Sequence, residues 1–262
     1  MKNTFKNWFA ALLLAAPMSM AVAAGGHANH EKVDIDLGDA VSLPRGAQLF
    51  TNYCLSCHSA TGMRFNRLQD IGLTEDEIKK NLMFTTDKVG DVMQAAMTPT
   101  EGKKWFGAAP PDLTLIARSR GADYLYAYLR GFYQDPTRPT GWNNTVFDKV
   151  GMPHPLWEQQ GVKAVELDKD GQPVWEKDEH GNLVPKLYWE STGLHSRRLP
   201  NGKVIEKEYD DYVRDLVNYM VYMGEPAQMQ RKQIGYIVLI FLLAVMLPLA
   251  YFLKKEYWKD VH

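Results

Sequence analysis

The stretch that most constrains this chain is Cys54-Leu55-Ser56-Cys57-His58. The chain has 2 cysteines in 262 residues, both inside this stretch, and a histidine follows the second directly. Cysteines three apart on one helical turn face the same way, which suits two thiols adding to the two vinyl groups of one haem. The histidine is then delivered to one face of the ring, where its imidazole can take the fifth position on iron. This is the attachment signature of a c-type haem. Other readings fit less well. A thioredoxin-like pair sits near a βαβ pattern, and none is visible around residue 54. A structural zinc site needs about four ligands, and no second cysteine pair supplies them. A disulfide between cysteines this close is strained.

Covalent haem of this kind is attached in export compartments, and the N-terminus agrees. Lys2 and Lys6 precede an apolar run over residues 8–16, and Ala21-Val22-Ala23-Ala24 follows, which predicts a cleaved secretory leader over 1–24. The short apolar core, broken by Pro17, argues against an uncleaved anchor. Residues 25–40 are polar, with His27 and His30, and are expected to hug the surface; the two histidines are given no role. Basic and acidic counts of 30 and 31 nearly cancel and no basic stripe is present, so nucleic-acid binding is not expected.

Within the globular part, Leu49, Phe50 and Tyr53 at helical spacing, with Pro44 in the first turn, predict a helix over 43–58. Its expected partner lies over 206–223, where Tyr209, Tyr212, Val213, Leu216, Val217, Met220 and Val221 form one apolar face. The pairing resembles the crossing of first and last helices in small c-type cytochromes, with haem beneath. Between them, Thr74 is the expected N-cap of a short helix ending near Leu82. A second helical segment is expected from Pro110 to Arg118. A third covers 122–129, has aromatic residues on one side, and is stopped by Gly131 and Pro136. Residues 158–190 mix turn sequences with short strands such as Pro173-Val174-Trp175, a hairpin-like surface insertion.

After Arg231 and Lys232, residues 234–253 carry no charge and are long enough to cross a bilayer, with Pro248 tolerated inside. Lys254, Lys255 and Lys259 follow. The fold class expected is mainly α: a c-type cytochrome domain over 25–232 with the insertion at 158–190, and one C-terminal transmembrane helix over 233–253. The leader puts the domain outside the cytoplasm and the tail over 254–262 inside.

An electron carrier fills the sixth iron position from the protein, and methionine opposite histidine raises the potential. Of 12 methionines, Met220 and Met223 belong to the last helix and Met63 is too near the attachment turn to cross to the other face. Spacing alone leaves Met83, Met93 and Met97 open. Met152 stands out in Gly151-Met152-Pro153, where glycine allows close approach of backbone to the porphyrin and proline stiffens the strap. His154 is its chief rival.

With these residues in place, the chain resembles the cytochrome c1 family, the haem c subunits of cytochrome bc1 complexes, over nearly all of its mature length. The resemblance is carried by Cys54-Leu55-Ser56-Cys57-His58-Ser59, Gly107-Ala108-Ala109-Pro110-Pro111-Asp112-Leu113, Ala117-Arg118-Ser119-Arg120 with Asp123-Tyr124, Gly151-Met152-Pro153, and the terminal span. It implies one covalent haem c on Cys54 and Cys57, His58 and Met152 as iron ligands, and Arg120 and Tyr124 at a propionate, with Arg118 nearby. It also implies that a carbonyl of the Pro110-Pro111 pair accepts the His58 imidazole N–H. The implied function is transfer of an electron from a Rieske iron-sulfur protein to a cytochrome c acceptor, as a subunit that makes no bond in a substrate. Implied with it are cytochrome b, a dimeric quinol:cytochrome c oxidoreductase, and a bacterial cell membrane with the haem domain in the periplasm. Unlike some members, this chain has no further cysteine pair to staple a loop. Three other readings are a haem c subunit of a terminal oxidase or another respiratory complex, a haem enzyme or gas sensor with an open sixth site, and a haem-free anchored binding domain.

Overall fold

The computed structural model describes residues 30–259, so the leader expected over 1–24, His27 and the last three residues lie outside it. The described chain begins as an extended segment laid along the surface. There the Val33 N–H donates to Asp123 Oδ1 at 2.9 Å and the Asp36 carbonyl accepts from Asn218 at 2.7 Å.

Helix α1 (Ser42–Leu49) runs on into a π-helical turn, Phe50–Cys54. Such wider turns are rare and concentrate at functional sites, and this one ends on Cys54, the first residue of the attachment motif. Strand β1 (Ala60–Arg64) pairs antiparallel with β2 (Val92–Met93). A 3-10 helix, Phe65–Ile71, and α2 (Glu75–Asn81) lie between them. Thr74 caps α2 reciprocally: its hydroxyl accepts from the Glu77 N–H at 3.3 Å while Glu77 accepts from the Thr74 N–H at 2.8 Å.

A helix the sequence reading passed over, α3 (Pro99–Phe106), starts by the same device. Thr98 and Glu101 form its capping box, Pro99 opens it, and Gly107 at φ 83° ends it. The helical segment expected from Pro110 begins instead at Ile116, as α4 (Ile116–Arg120). Residues 110–114 stay non-helical because Asp112 holds them open: its carboxylate accepts from the Thr61 N–H, the Thr61 hydroxyl and the Thr114 N–H, each at 2.8 Å. Helix α5 (Ala122–Arg130) follows and stops at Gly131.

Strands β3 (Phe132–Gln134) and β4 (Trp142–Asn144), a single helical turn α6 (Trp157–Gln160), and β5 (Gly161–Val165) come next. The hairpin β6 (Trp175–Lys177) and β7 (Leu183–Pro185) precedes β8 (Leu187–Thr192). The four-stranded sheet has the order β4-β3-β5-β8, with β3 and β5 parallel and the other pairs antiparallel. The outer strands of the expected insertion therefore extend a sheet begun by β3 and β4, and the β6–β7 hairpin forms a separate two-stranded pair. A short pair, β9 (Arg197–Arg198) and β10 (Val204–Ile205), leads into α7 (Lys207–Gly224).

Helices α1 and α7 meet at Gly46, where a Cβ atom would lie 2.1 Å from the Asp215 carbonyl oxygen and 2.6 Å from Tyr219 Cβ. The contact is backbone against backbone, so no side chain can swing aside to relieve a larger residue. Ala47, Phe50, Val213, Leu216, Val217 and Tyr219 bury around it, and Arg45 pairs with the buried Asp215 at 2.7 Å. Full burial of one such large apolar side chain contributes about 1.5–3 kcal/mol. Tyr209 then ties α7 to α5 by donating to the Leu129 carbonyl at 2.9 Å.

Helix α8 (Gln228–Tyr257) is 30 residues long, with mean hydropathy 2.6 in its most apolar window and none of that window buried. At 1.5 Å per residue it reaches roughly 45 Å, beyond the ~30 Å hydrocarbon core of a bilayer. It widens into a π turn at Leu242–Met246, just before Pro248. Proline lacks an N–H and crowds the carbonyl four residues back, which the wider turn accommodates. Glu225, at the joint between α7 and α8, pairs with both Arg118 and Arg231.

Replacing Gly46 with valine should force α1 from α7 and cost roughly 3 kcal/mol. Thermal unfolding of the purified chain measures this, and an unchanged midpoint would mean the helices are not in close contact there.

Candidate haem centre

The motif sits where the π turn closes. The Leu55 N–H donates to the Phe50 carbonyl at 3.0 Å, and the Cys57 and His58 N–H groups donate to the Cys54 carbonyl at 3.1 and 2.8 Å. Both thiols are free, Cys54 buried and Cys57 half-buried. Burial, with Cys57 beside it, pushes the Cys54 thiol up to about 12.

His58 is buried and its Nδ1 lies 2.8 Å from the Pro111 carbonyl oxygen. A carbonyl can only accept, so Nδ1 carries the hydrogen and Nε2 keeps its lone pair. Burial lowers the imidazole's pKa from its ordinary value, against the opposing pull of the Pro111 carbonyl and Asp112, and favours the neutral form that ligates metals. The Pro111 carbonyl is itself fixed. The Asp112 bonds hold one side of it, and the Leu113 N–H donates to the Ser59 carbonyl at 2.8 Å. The Pro110 ring packs on α3 so tightly that a Cβ on Gly102 would come within 2.4 Å of it. Helix α3 is tied back to the motif by the Met97 N–H, which donates to the Ser56 carbonyl at 3.1 Å.

Met152 lies in a second cluster. Its loop starts at Lys149, at φ 58°, and a Cβ on Gly151 would lie 2.9 Å from the Phe106 carbonyl oxygen. A close approach that calls for glycine is thus made to the end of α3. The Tyr128 hydroxyl donates to Met152 Sδ at 3.5 Å. His154 is buried with both ring nitrogens engaged: Nε2 bonds Gln160 Oε1 at 2.9 Å, and Nδ1 accepts from the Leu156 N–H at 3.4 Å. Burial takes its pKa down to about 3. His154 has no lone pair to offer iron, whereas a thioether sulfur that accepts one hydrogen bond keeps a second. Met63, Met93, Met220 and Met223 are core residues, Met83 packs against that core, and Met97 sits against Gly102 on the attachment side.

The remaining candidates divide. Arg120 is exposed, makes no ion pair among the described residues, and lies 5.6 Å above the Tyr124 ring. Tyr124 stacks on Tyr128 at 6.0 Å, so Arg120, Tyr124, Tyr128 and Met152 form one connected series. Arg118 turns away, pairing with Glu225 at 3.4 Å near the root of α8. Pro110 serves packing and Pro111 supplies the carbonyl. Sequence reasoning missed Asp112, Gln160 and Tyr128. The only signal for the last was the spacing of Tyr124, Tyr128 and Phe132, which aligns them on one helical face.

Two unpaired thiols one turn apart, an oriented neutral imidazole and a thioether in a braced loop make a donor set that fits a covalently held haem. The sequence matches the Cytochrome C1 family over residues 35–205 and 201–261. It is 44% identical to a cytochrome c1 of Allochromatium vinosum, covering 97% of this chain and 98% of that one. It is 47% identical to a protein of Nitrosomonas europaea named ammonia monooxygenase gamma subunit, over 95% and 96% of the two chains. A cytochrome c1 of Rhodospirillum rubrum is 27% identical over 95% of this chain and 96% of its own. The chain therefore belongs to the cytochrome c1 family, membrane-anchored subunits that carry one covalent haem c and transfer electrons in the cytochrome bc1 complex.

Proposed function

We propose that this chain receives one electron from a Rieske iron-sulfur protein and passes it to a cytochrome c on the periplasmic side of a bacterial cell membrane. Cys54 and Cys57 would hold the haem covalently, and His58 and Met152 would supply the two protein ligands to its iron. Arg120 and Tyr124 meet a propionate, a guanidinium being suited to a carboxylate. The haem supplies reversible one-electron exchange at iron, with no bond made in a substrate. The observation that carries the reading is the commitment of His58 Nδ1 to the Pro111 carbonyl at 2.8 Å, because it leaves Nε2 as the only nitrogen able to reach iron.

The chain's own residues do the rest. Asp112 and α3 keep the imidazole from rotating, and the Gly151 to Pro153 strap holds the sulfur. Helix α8 crosses the bilayer over about residues 233–253 and docks on cytochrome b in a dimeric assembly. Residues 254–262 lie in the cytoplasm, and a leader over 1–24 is removed on export. A second reading is kept by one observation: the Nitrosomonas europaea relative carries the name of a monooxygenase subunit, so a haem subunit of this type could serve another oxidoreductase.

The partners decide between these readings. Purification of the tagged chain from membranes in mild detergent should bring down cytochrome b and a Rieske protein; recovery with monooxygenase or copper-haem oxidase subunits instead would overturn the bc1 assignment. Met152→Leu should keep its covalent haem but lose on the order of 100 mV in potential, because axial ligands shift haem potentials over roughly 0.8 V. Turnover of the complex should fall with it. A redox titration that finds the potential unchanged would place the sixth ligand elsewhere.

A further inference from the structure

We infer that Tyr128 tunes the electron affinity of the iron by donating its phenolic hydrogen to the Met152 sulfur, an inference that rests on Met152 being the axial ligand. The donor and acceptor are 3.5 Å apart, and the sulfur is the only hydrogen-bond partner of this hydroxyl among the described residues. The phenol is partly buried, and a buried hydroxyl usually finds a partner; the sulfur is the partner it has.

Neither group is free to drift. The Tyr128 ring lies between Tyr124, stacked at 6.0 Å, and Phe132, edge-on at 5.2 Å, and Phe132 stacks at 4.7 Å on His154 beyond the methionine. Asn144 joins the two sides: its Nδ2 donates to the Tyr128 carbonyl at 2.8 Å, while its Oδ1 accepts from the Val146 N–H at 2.8 Å, on the segment that leads into the Met152 loop. Asn143 Oδ1 holds the Lys149 N–H at 2.8 Å in the same loop. Backbone contacts on both sides thus set the distance between phenol and sulfur.

The chemical consequence has a definite sign. A thioether sulfur has two lone pairs, one for iron and one for the phenol. A hydrogen bond to the second draws electron density from the sulfur and weakens its donation to iron, which the ferric state needs more than the ferrous. The ferrous state is favoured and the potential is raised. Tyr128 is a positioning and tuning residue, with no contact to iron of its own.

The test uses the full-length protein in its membrane complex, with equilibrium redox titration and the ferric absorption spectrum as readouts. Tyr128→Phe keeps the ring and removes one oxygen. It should shift the potential to a lower value and move, without abolishing, the charge-transfer band that marks methionine sulfur on ferric iron. Tyr126→Phe, which removes a hydroxyl from the Arg130 side of the same helix, should move neither. An unchanged potential in Tyr128→Phe would overturn the inference. A shifted potential with an unmoved band would overturn it too, by assigning the phenol to another acceptor such as a haem carboxylate. Absence of the band from the unaltered protein would instead remove the Met152 ligation on which the inference stands.

Discussion

The hydrogen bond from the His58 imidazole to the Pro111 carbonyl spans 53 residues of sequence, and the order of the attachment side is arranged around it. A histidine after two cysteines can present either nitrogen; tying up Nδ1 leaves a single productive orientation. That bond is only as good as the placement of the carbonyl. Its placement depends on Asp112 bridging Thr61 and Thr114, on the Pro110 ring seated over Gly102, and on α3 being pinned to Ser56. Residues 56–61 and the stretch over 97–114 thus converge to hold one imidazole still, the form of pre-organisation expected where electrons must move with little rearrangement.

The other face is organised through α5. Tyr124 and Tyr128 on that helix and Phe132 at the start of β3 form an aromatic column that ends on His154, whose two nitrogens are occupied by Gln160 and Leu156. The column packs beside the methionine loop, and the Gln160 and Leu156 bonds occupy both nitrogens of His154. Helix α3 takes part in both halves, because its Gly102 receives Pro110 and its last carbonyl receives Gly151. A short helix with no apparent chemistry of its own therefore couples the two sides.

The elements legible in the sequence are those whose determinants are local. The motif could be read because its chemistry needs five contiguous residues, and α1 and α7 because their apolar faces repeat at helical period. Thr74 announced α2 through its own cap. Helix α3 carries the same cap at Thr98 and Glu101, yet its brief apolar face, interrupted by Gly102, hid it. The helix expected from Pro110 failed for a non-local reason: Asp112 finds its partner at Thr61, about 50 residues away, and that tertiary bond outweighs helical preference. Gly151 was legible as a place of close approach, but its contact with the Phe106 carbonyl, far back in the chain, was not. The phenol beside Met152 was half visible as an aromatic face and became a specific contact only in three dimensions.

The domain is joined to its anchor through Glu225, held by Arg118 and Arg231, which places the haem-bearing helices close to the membrane-crossing one. The proposed centre is a single haem held on Cys54 and Cys57, with His58 and Met152 as its iron ligands. Near-infrared magnetic circular dichroism of the ferric protein tests it most directly, since the position of the ligand-to-metal band distinguishes axial pairs. Histidine–methionine coordination that disappears in a Met152 variant is the predicted result. A spectrum of two nitrogen ligands, or of histidine with water, in the unaltered protein would contradict it.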